Sequence, residues 1–188
     1  MDKNDLFESA WKNDTDALQR ALAAGADPNE QHPRAGTLPL QLACQRNAIE
    51  AIRMLLEAGA KADATFTRVS RVDGRLFANH TPLMYAESVE AASLLVDAGA
   101  KLEAADEKGW TALVWAAHSG NLPLTTFLVE QGADVSVQPM YAGKRRSLCE
   151  FLDAAMDPLP GHDETEARKA RCSQLISVRD FIAARMHT

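Results

Sequence analysis

One short string recurs four times along the chain and limits its fold more than any other feature. An apolar helix-like stretch ends in Gly-Ala and a charged residue, and the four glycines are Gly25, Gly59, Gly99 and Gly132. They are separated by 34, 40 and 33 residues. Glycine at the end of an apolar helix suits the left-handed conformation that terminates it. A period of this length predicts repeated structural units that bury their apolar faces against one another.

A second string precedes the last three glycines and marks the start of a helix. It reads Leu38-Pro-Leu-Gln-Leu-Ala, then Thr81-Pro-Leu-Met-Tyr-Ala, then Thr111-Ala-Leu-Val-Trp-Ala. Proline suits a first helical turn, and the hydroxyls of Thr81 and Thr111 are expected to cap their helices. Apolar residues from Ile49 to Leu56 recur at three- and four-residue spacing, as in an amphipathic helix. Each unit is therefore predicted to be a helix, a turn, a second helix and a loop.

These residues resemble the ankyrin repeat, whose pattern is a Thr-Pro-Leu-His start and a Gly-Ala-Asp ending over about 33 residues. The resemblance covers about residues 4 to 145, is strongest at 106–113, and is to small stand-alone ankyrin domains of the bacterial type. It implies an all-α solenoid of stacked helix-turn-helix units. The whole chain, 1–188, is then a single domain with repeats at about 4–36, 37–79, 80–109 and 110–145, and a divergent helical C-terminal cap at 146–188.

The cap region is predicted to contain two helices. Its first apolar face comprises Leu148, Phe151, Leu152 and Ala155, and the proline-containing segment 157–161 ends that helix. A long helix is expected from roughly Glu164 to Met186, with an apolar stripe of Leu175, Ile176, Val178, Phe181 and Ile182.

Two departures from the repeat pattern could carry specificity. The third unit is three residues short between Ala86 and Val89, which predicts a stubby first helix and a tight turn. This shortening could be neutral variation or could serve a function. About ten extra residues lie between Gly59 and Thr81, and their Asp73-Gly74 pair predicts a β-hairpin finger. This finger could contact a partner or could be a long solvated loop.

The resemblance also implies which side chains face a partner, since ankyrin units use their first helices and finger loops on the concave side. The partner-binding residues assigned in this way are Trp11, Lys12, Leu42, Gln45, Arg46, Phe66, Arg68, Arg71, Arg75, Tyr85, Lys108, Trp110, Trp115, His118 and Tyr141. All three tryptophans and both tyrosines of the chain fall on first helices or fingers, and such rings are enriched at binding hot spots. For Trp115, packing between neighbouring first helices is an equal alternative.

Composition and charge disfavour several other classes of protein. The 26 acidic residues outnumber the 20 basic ones, for a net charge of −6, which disfavours a nucleic-acid binder. No apolar run approaches the length of a membrane span, and the acidic start, Met1-Asp2, lacks the pattern of a secretory signal. The scattered Cys44, Cys149 and Cys172 form neither a disulfide framework nor a zinc motif. A cytoplasmic protein is therefore expected.

The sequence shows no constellation of catalytic groups. The five histidines lack ligand spacing, and neither a nucleophile elbow nor a phosphate-binding loop occurs. We therefore expect no catalytic, cofactor or metal site. The predicted function is binding of another protein, one with basic and acidic patches, by a chain that is monomeric when free. An inhibitor or immunity protein for a toxin or enzyme is the most specific hypothesis, a scaffold, adaptor or oligomer component is the alternative, and an enzyme is a remote third.

Overall fold

The computed structural model describes residues 4–33, 35–69, 76–156 and 166–186, with the side chains of 4–5, 67–69, 76–77 and 166–169 left aside. The chain forms two compact units, Met1–Glu107 and Lys108–Thr188. Each is described by itself below. In both, helix pairs dominate the described residues and strands occur only as short hairpins, so the all-α prediction with a hairpin finger is confirmed.

The first unit contains three successive helix pairs. They are α1 (Asn4–Lys12) with α2 (Thr15–Ala23), α3 (Pro39–Gln45) with α4 (Ile49–Glu57), and a 3₁₀ helix (Pro82–Tyr85) with α5 (Val89–Asp97). Helix α3 packs on α1, on α4 and on the 3₁₀ helix. Fully or nearly fully buried side chains between these helices include Leu6, Leu18, Leu40, Ile52, Leu55, Leu83 and Leu95.

The second unit contains one helix pair, a small hairpin and two terminal helices. In chain order these are α6 (Ala112–His118), α7 (Leu122–Glu130), β3 (Met140–Tyr141), β4 (Lys144–Arg145), α8 (Leu148–Met156) and α9 (Glu166–Met186). Helix α9 packs on α6, α7 and α8. No helix in the described part of the chain has both the length and the apolarity of a membrane span.

The predicted stripe of the last helix is correct except at one position. Leu175, Val178 and Ile182 are buried and Phe181 is half-buried, whereas Ile176 is 42% exposed. Ile176 directly follows Leu175, and one residue advances the helix by about 100°, which turns Ile176 away from the packed face. The proline-containing segment predicted to break the preceding helix lies outside the described residues.

The recurring glycines end the second helix of each pair, as expected. Gly25, Gly59, Gly99 and Gly132 all have positive φ, between 86° and 97°. The amide after each glycine donates to a carbonyl five residues back, as from Ala100 N to Leu95 O at 2.9 Å. This pairing satisfies carbonyls that the helix end would otherwise leave exposed.

The helix starts differ from expectation. Thr81 and Thr111 precede their helices with extended backbone, but neither hydroxyl caps the helix. Both side chains are buried, because the chain turns inward there from the finger. Three second helices do have side-chain caps, where Asp14, Ser88 and Asn121 each accept a backbone N–H three residues on.

The shortened third unit has the predicted form. Its first helix is the single 3₁₀ turn, Pro82–Tyr85, and α5 begins directly after Ser88. The other units have a residue with left-handed backbone in the turn between their two helices: Asn13 (φ 56°), Asn47 (φ 49°) and Gly120 (φ 76°). The missing residues of the third unit remove this position, so its chain passes directly into the next helix.

The predicted hairpin finger is present in the first unit. Strands β1 (Phe66–Val69) and β2 (Leu76–His80) pair antiparallel with Phe66 opposite His80, and a bulge follows Phe66. The Asp73-Gly74 turn lies outside the described residues. A second hairpin, β3–β4, is closed by Ala142 and Gly143, both with positive φ, which is the backbone that a tight two-residue turn requires.

Candidate protein-binding surface

Among the described side chains of the first unit, the most exposed aromatic one is Trp11, at the end of α1. It is 41% exposed. The guanidinium carbon of Arg46, just after α3, lies 4.8 Å from the centre of the Trp11 ring. An arginine over an indole face makes a cation–π contact. The structure therefore brings together two residues that the sequence analysis assigned separately to the partner-binding side, although they are 35 positions apart.

The neighbouring predicted residues are only partly available. Lys12 is exposed and forms an ion pair with Glu8 one turn earlier on α1. Leu42 and Gln45 on α3 are half-buried. The exposed part of this surface is therefore an indole edge with two cationic side chains, Lys12 and Arg46.

Phe66 does not belong to this surface, which corrects the sequence prediction. Its ring is 2% exposed and contacts His80, with ring centres 5.6 Å apart, and Tyr85 at 6.4 Å. Phe66 starts the finger where the strands leave the body of the unit, so its side chain packs inward. Tyr85 is half-buried in the same cluster, and its hydroxyl lies 2.9 Å from His80 Nδ1.

The predicted aromatic residues of the second unit form one cluster. Trp110 lies 4.9 Å from Trp115, 5.2 Å from His118 and 5.0 Å from Phe151, measured between ring centres. Tyr141 of the β3–β4 hairpin meets the same Phe151 edge-to-face at 5.3 Å. Edge-to-face rings at such separations attract one another beyond the area that they bury. The cluster joins α6, the hairpin and α8 of this unit.

The burial of Trp110 also corrects the sequence prediction, which assigned this residue to the partner-binding surface. It is 7% exposed, and its indole N–H donates to the carbonyl of Met140 at 2.9 Å. The preceding Gly109 has φ 73°, which turns the next side chain inward. Asn79, with φ 61°, precedes the equally buried His80 in the same way. The shared position directly before Thr81 and Thr111 is the sequence signal that could have identified both as core residues.

The other predicted residues of this unit keep part of their surface in solvent. Trp115, His118 and Tyr141 are half-buried, and Lys108 is exposed with its ammonium 5.6 Å from the Trp110 ring centre. Burial, and secondarily the charge of Arg171, lower the pKa of His118. His118 is therefore neutral at neutral pH, as a ring packed among aromatic neighbours should be.

The remaining predicted residues lie on the long finger. Arg71 and Arg75 fall outside the described residues. Arg68 pairs with Phe77 through the backbone of the hairpin, and its side chain is not among those described. The role of these three arginines in partner binding stays a prediction.

One cluster of ionisable groups was not foreseen from the sequence. His80 Nε2 lies 3.9 Å from Asp106 Oδ2 and 3.6 Å from Glu107 Oε2. The backbone N–H of Ala78 donates to Glu107 Oε2 at 3.0 Å. The Cys44 thiol is fully buried on α3, and burial raises its pKa, so this thiol is unreactive.

Helix pairs joined by short turns, glycine-ended second helices and a projecting finger define a repeat protein built of helix-turn-helix units. The family model for ankyrin repeats, in three copies, matches residues 6–106 and 70–139. The chain belongs to the ankyrin repeat family, and such repeats indicate a protein–protein interaction module.

Similar proteins support this assignment. The chain is 38% identical over 137 residues to ankyrin repeat protein nuc-2 of Neurospora crassa, with 70% of the chain and 12% of that protein covered. It is 27% identical over 164 residues to neurogenic locus notch homolog protein 2 of Homo sapiens, covering 73% of the chain and 7% of that protein. It is 32% identical over 148 residues to glycerophosphocholine phosphodiesterase gde1 of Schizosaccharomyces pombe, covering 74% and 12%. The chain thus spans only a small part of the relatives that it matches.

Proposed function

We propose that this chain is a non-catalytic module that binds one partner protein through the exposed side chains of its first helices and fingers. Occupation of the partner's surface would inhibit it, as an immunity protein inhibits a toxin. In the first unit the proposed centre of contact is Trp11 with Arg46 and Lys12. In the second unit it is the exposed parts of Trp115, His118 and Tyr141 with Lys108.

The observation that carries this proposal is the exposed Trp11 ring with the Arg46 guanidinium over it. Tryptophan and arginine are the residue types most enriched among binding hot spots. A ring held against an ordered guanidinium loses less conformational freedom on binding than a free side chain does. An exposed indole also loses solvent contact favourably when a partner covers it.

The charge of this surface suggests the chemistry of the partner. Arg46 is cationic on a chain whose net charge is −6, and Lys12 adds a second cation that is paired with Glu8. An acidic patch on the partner would complement these side chains directly. Basic groups elsewhere on the partner would be attracted by the overall negative charge, which mainly raises the association rate.

The test is an affinity capture from the host followed by a binding measurement with the purified partner. Trp11→Ala and Arg46→Ala should each weaken the complex, Trp11→Ala by about 2 kcal/mol or more if Trp11 is a hot spot. Arg53→Ala is the matched control, because Arg53 is an exposed arginine on α4 of the same unit. It should bind like the unsubstituted chain.

The melting temperature of Trp11→Ala separates a binding role from a structural one. Because the Trp11 ring is 41% exposed, its removal should leave Tm nearly unchanged. A loss of several kcal/mol in the free energy of unfolding would mean that the ring is a core residue, and the proposed surface would be wrong.

The inhibitory role has its own test. The activity of the captured partner is measured with increasing amounts of this chain. Inhibition that Trp11→Ala relieves and Arg53→Ala does not would support the proposal. A partner that binds with unchanged activity would contradict inhibition and favour a scaffold or adaptor.

A further inference from the structure

The geometry points to a zinc site at the base of the long finger, and we propose that His80, Asp106 and Glu107 together bind one Zn²⁺ ion. These residues come from the end of β2 and from the loop after α5, all in the first unit. This inference is independent of the protein-binding surface proposed above. It runs against the expectation from sequence, where no metal-ligand spacing is visible.

The distances between the ligand atoms are longer than hydrogen bonds, and the distance from His80 to Glu107 matches that between two ligands of one zinc ion. The His80 Nε2 to carboxylate distances of 3.6 and 3.9 Å exceed the roughly 2.7–3.2 Å of hydrogen bonds. Two ligands bound tetrahedrally at about 2.0–2.2 Å from Zn²⁺ lie roughly 3.3–3.6 Å apart. All three atoms lie within 4.8 Å of one another, so small side-chain rotations would close the site.

Burial makes a bound cation favourable here. The side chains of His80 and Asp106 are 2% and 1% exposed, and that of Glu107 is 23% exposed. Two carboxylates close to each other in a partly buried place repel each other, and a cation between them lowers that repulsion. A divalent cation would compensate both negative charges, and the Glu107 side of the cluster provides access from solvent.

Two further contacts position the ligands. The Tyr85 hydroxyl lies 2.9 Å from His80 Nδ1. In the tautomer that carries its hydrogen on Nδ1, His80 donates to this hydroxyl and presents the Nε2 lone pair to the carboxylates. Such an outer contact is typical of a metal-binding histidine. The Ala78 N–H holds Glu107 Oε2 in place at 3.0 Å.

The ligand set favours zinc among common divalent ions. Imidazole nitrogen suits Zn²⁺ and similar transition metals, whereas Mg²⁺ and Ca²⁺ prefer sites made of oxygen ligands alone. One histidine and two carboxylates supply three of the four positions of a tetrahedral zinc ion. Water would take the fourth, as it does in open zinc sites.

The experiment titrates ZnCl₂ into the full chain by calorimetry after the protein has been freed of metal with a chelator. We expect one Zn²⁺ bound per chain and a Tm that rises with the zinc concentration. Glu107→Gln should weaken zinc binding at least about tenfold, the loss that removal of even an outer contact causes. This variant keeps an oxygen that can accept the Ala78 N–H, so the fold should persist.

Controls make the result specific to this cluster. Glu90→Gln, which removes an exposed carboxylate from α5, should bind zinc like the unsubstituted chain. Tyr85→Phe should weaken zinc binding roughly tenfold through His80. The proposal is overturned if the unsubstituted chain shows no saturable one-to-one binding. It is equally overturned if both Glu107→Gln and His80→Gln bind zinc as tightly as the unsubstituted chain does.

Discussion

At the scale of single residues, the glycine that ends each second helix shows most directly how backbone conformation fixes the fold. Gly99 has φ 88°, and a Cβ added there would meet nothing within 4 Å. A larger side chain would therefore not clash, and any loss of stability on substitution comes from the left-handed backbone conformation alone. Left-handed backbone is unfavourable for residues with a Cβ, and most of all for β-branched ones.

Gly99→Val should therefore destabilise the chain. The expected loss in the free energy of unfolding is about 1–2 kcal/mol, measured by urea denaturation. Ala98→Val is the control, because Ala98 is exposed and has φ −83°, which valine tolerates. Equal stability of the two variants would show that the left-handed position is not what Gly99 provides.

His118 gives a second residue-scale prediction, for pH dependence. Its pKa in the folded chain is lowered from 6.5 by burial and by Arg171, so the unfolded chain takes up a proton at higher pH. The stability that neutral His118 contributes is therefore present above about pH 6.5 and is lost as pH falls through the folded pKa. Thermal melts measure this effect. Between about pH 7.5 and pH 5.5, Tm should decrease less for His118→Gln than for the unsubstituted chain. Identical pH dependence in both chains would contradict the role of His118.

At the scale of elements, asparagine side chains join successive helix pairs of the first unit. Asn13 Oδ1 accepts the Ala51 N–H at 3.0 Å and so caps α4, whose own preceding residue, Ala48, cannot. Asn47 Oδ1 accepts from the Ser88 hydroxyl at 2.6 Å, at the start of α5. Each turn thus supports the start of the second helix in the next pair.

Two substitutions at Asn47 separate its backbone role from its side-chain role. Asn47→Gly keeps the left-handed backbone and loses only the hydrogen bond to Ser88, so the free energy of unfolding should fall by about 1 kcal/mol. Asn47→Ala should lose about 1 kcal/mol more, because alanine resists φ 49°. Chemical denaturation of the unsubstituted chain, Asn47→Gly and Asn47→Ala measures both differences in the free energy of unfolding. If the glycine variant were the less stable of the two, the backbone argument would be wrong.

Elements whose causes are local could be predicted from the sequence. The Asp73-Gly74 pair predicted the long finger, and the three missing residues after Ala86 predicted the short 3₁₀ helix. The directions of finger side chains could not be predicted in this way, because they depend on register and on left-handed residues such as Asn79 and Gly109. Phe66 and Trp110 were misplaced on the surface for this reason.

At the scale of the whole molecule, the sequence identified the repeat architecture but not which distant residues meet. The family resemblance placed Trp11 and Arg46 on first helices, and the structure adds their contact. His80 and Asp106 are 26 positions apart, one at the end of β2 and the other in the loop after α5. Their approach follows from successive finger bases lying side by side in the first unit, which no spacing rule for metal ligands describes.

The free chain is expected to be a monomer, and the reason is its charge and surface. A net charge of −6 makes copies repel one another. Among the described side chains, the large exposed apolar ones are Trp11 and Val89 in the first unit and Met140, Ile176 and Met186 in the second. Single exposed apolar residues of this kind are common on monomers.

Light scattering on the purified chain should therefore give a mass near 20.4 kDa, at low and at physiological salt. Salt is the informative variable, because screening weakens the repulsion between copies and would expose any hidden tendency to associate. A dimer mass that Trp11→Ala returns to the monomer value would show that the Trp11 surface binds a second copy of this chain. A dimer that persists in both Trp11→Ala and the control Arg53→Ala would contradict the monomer prediction. In that case the Trp11 surface would still be free to bind a different protein.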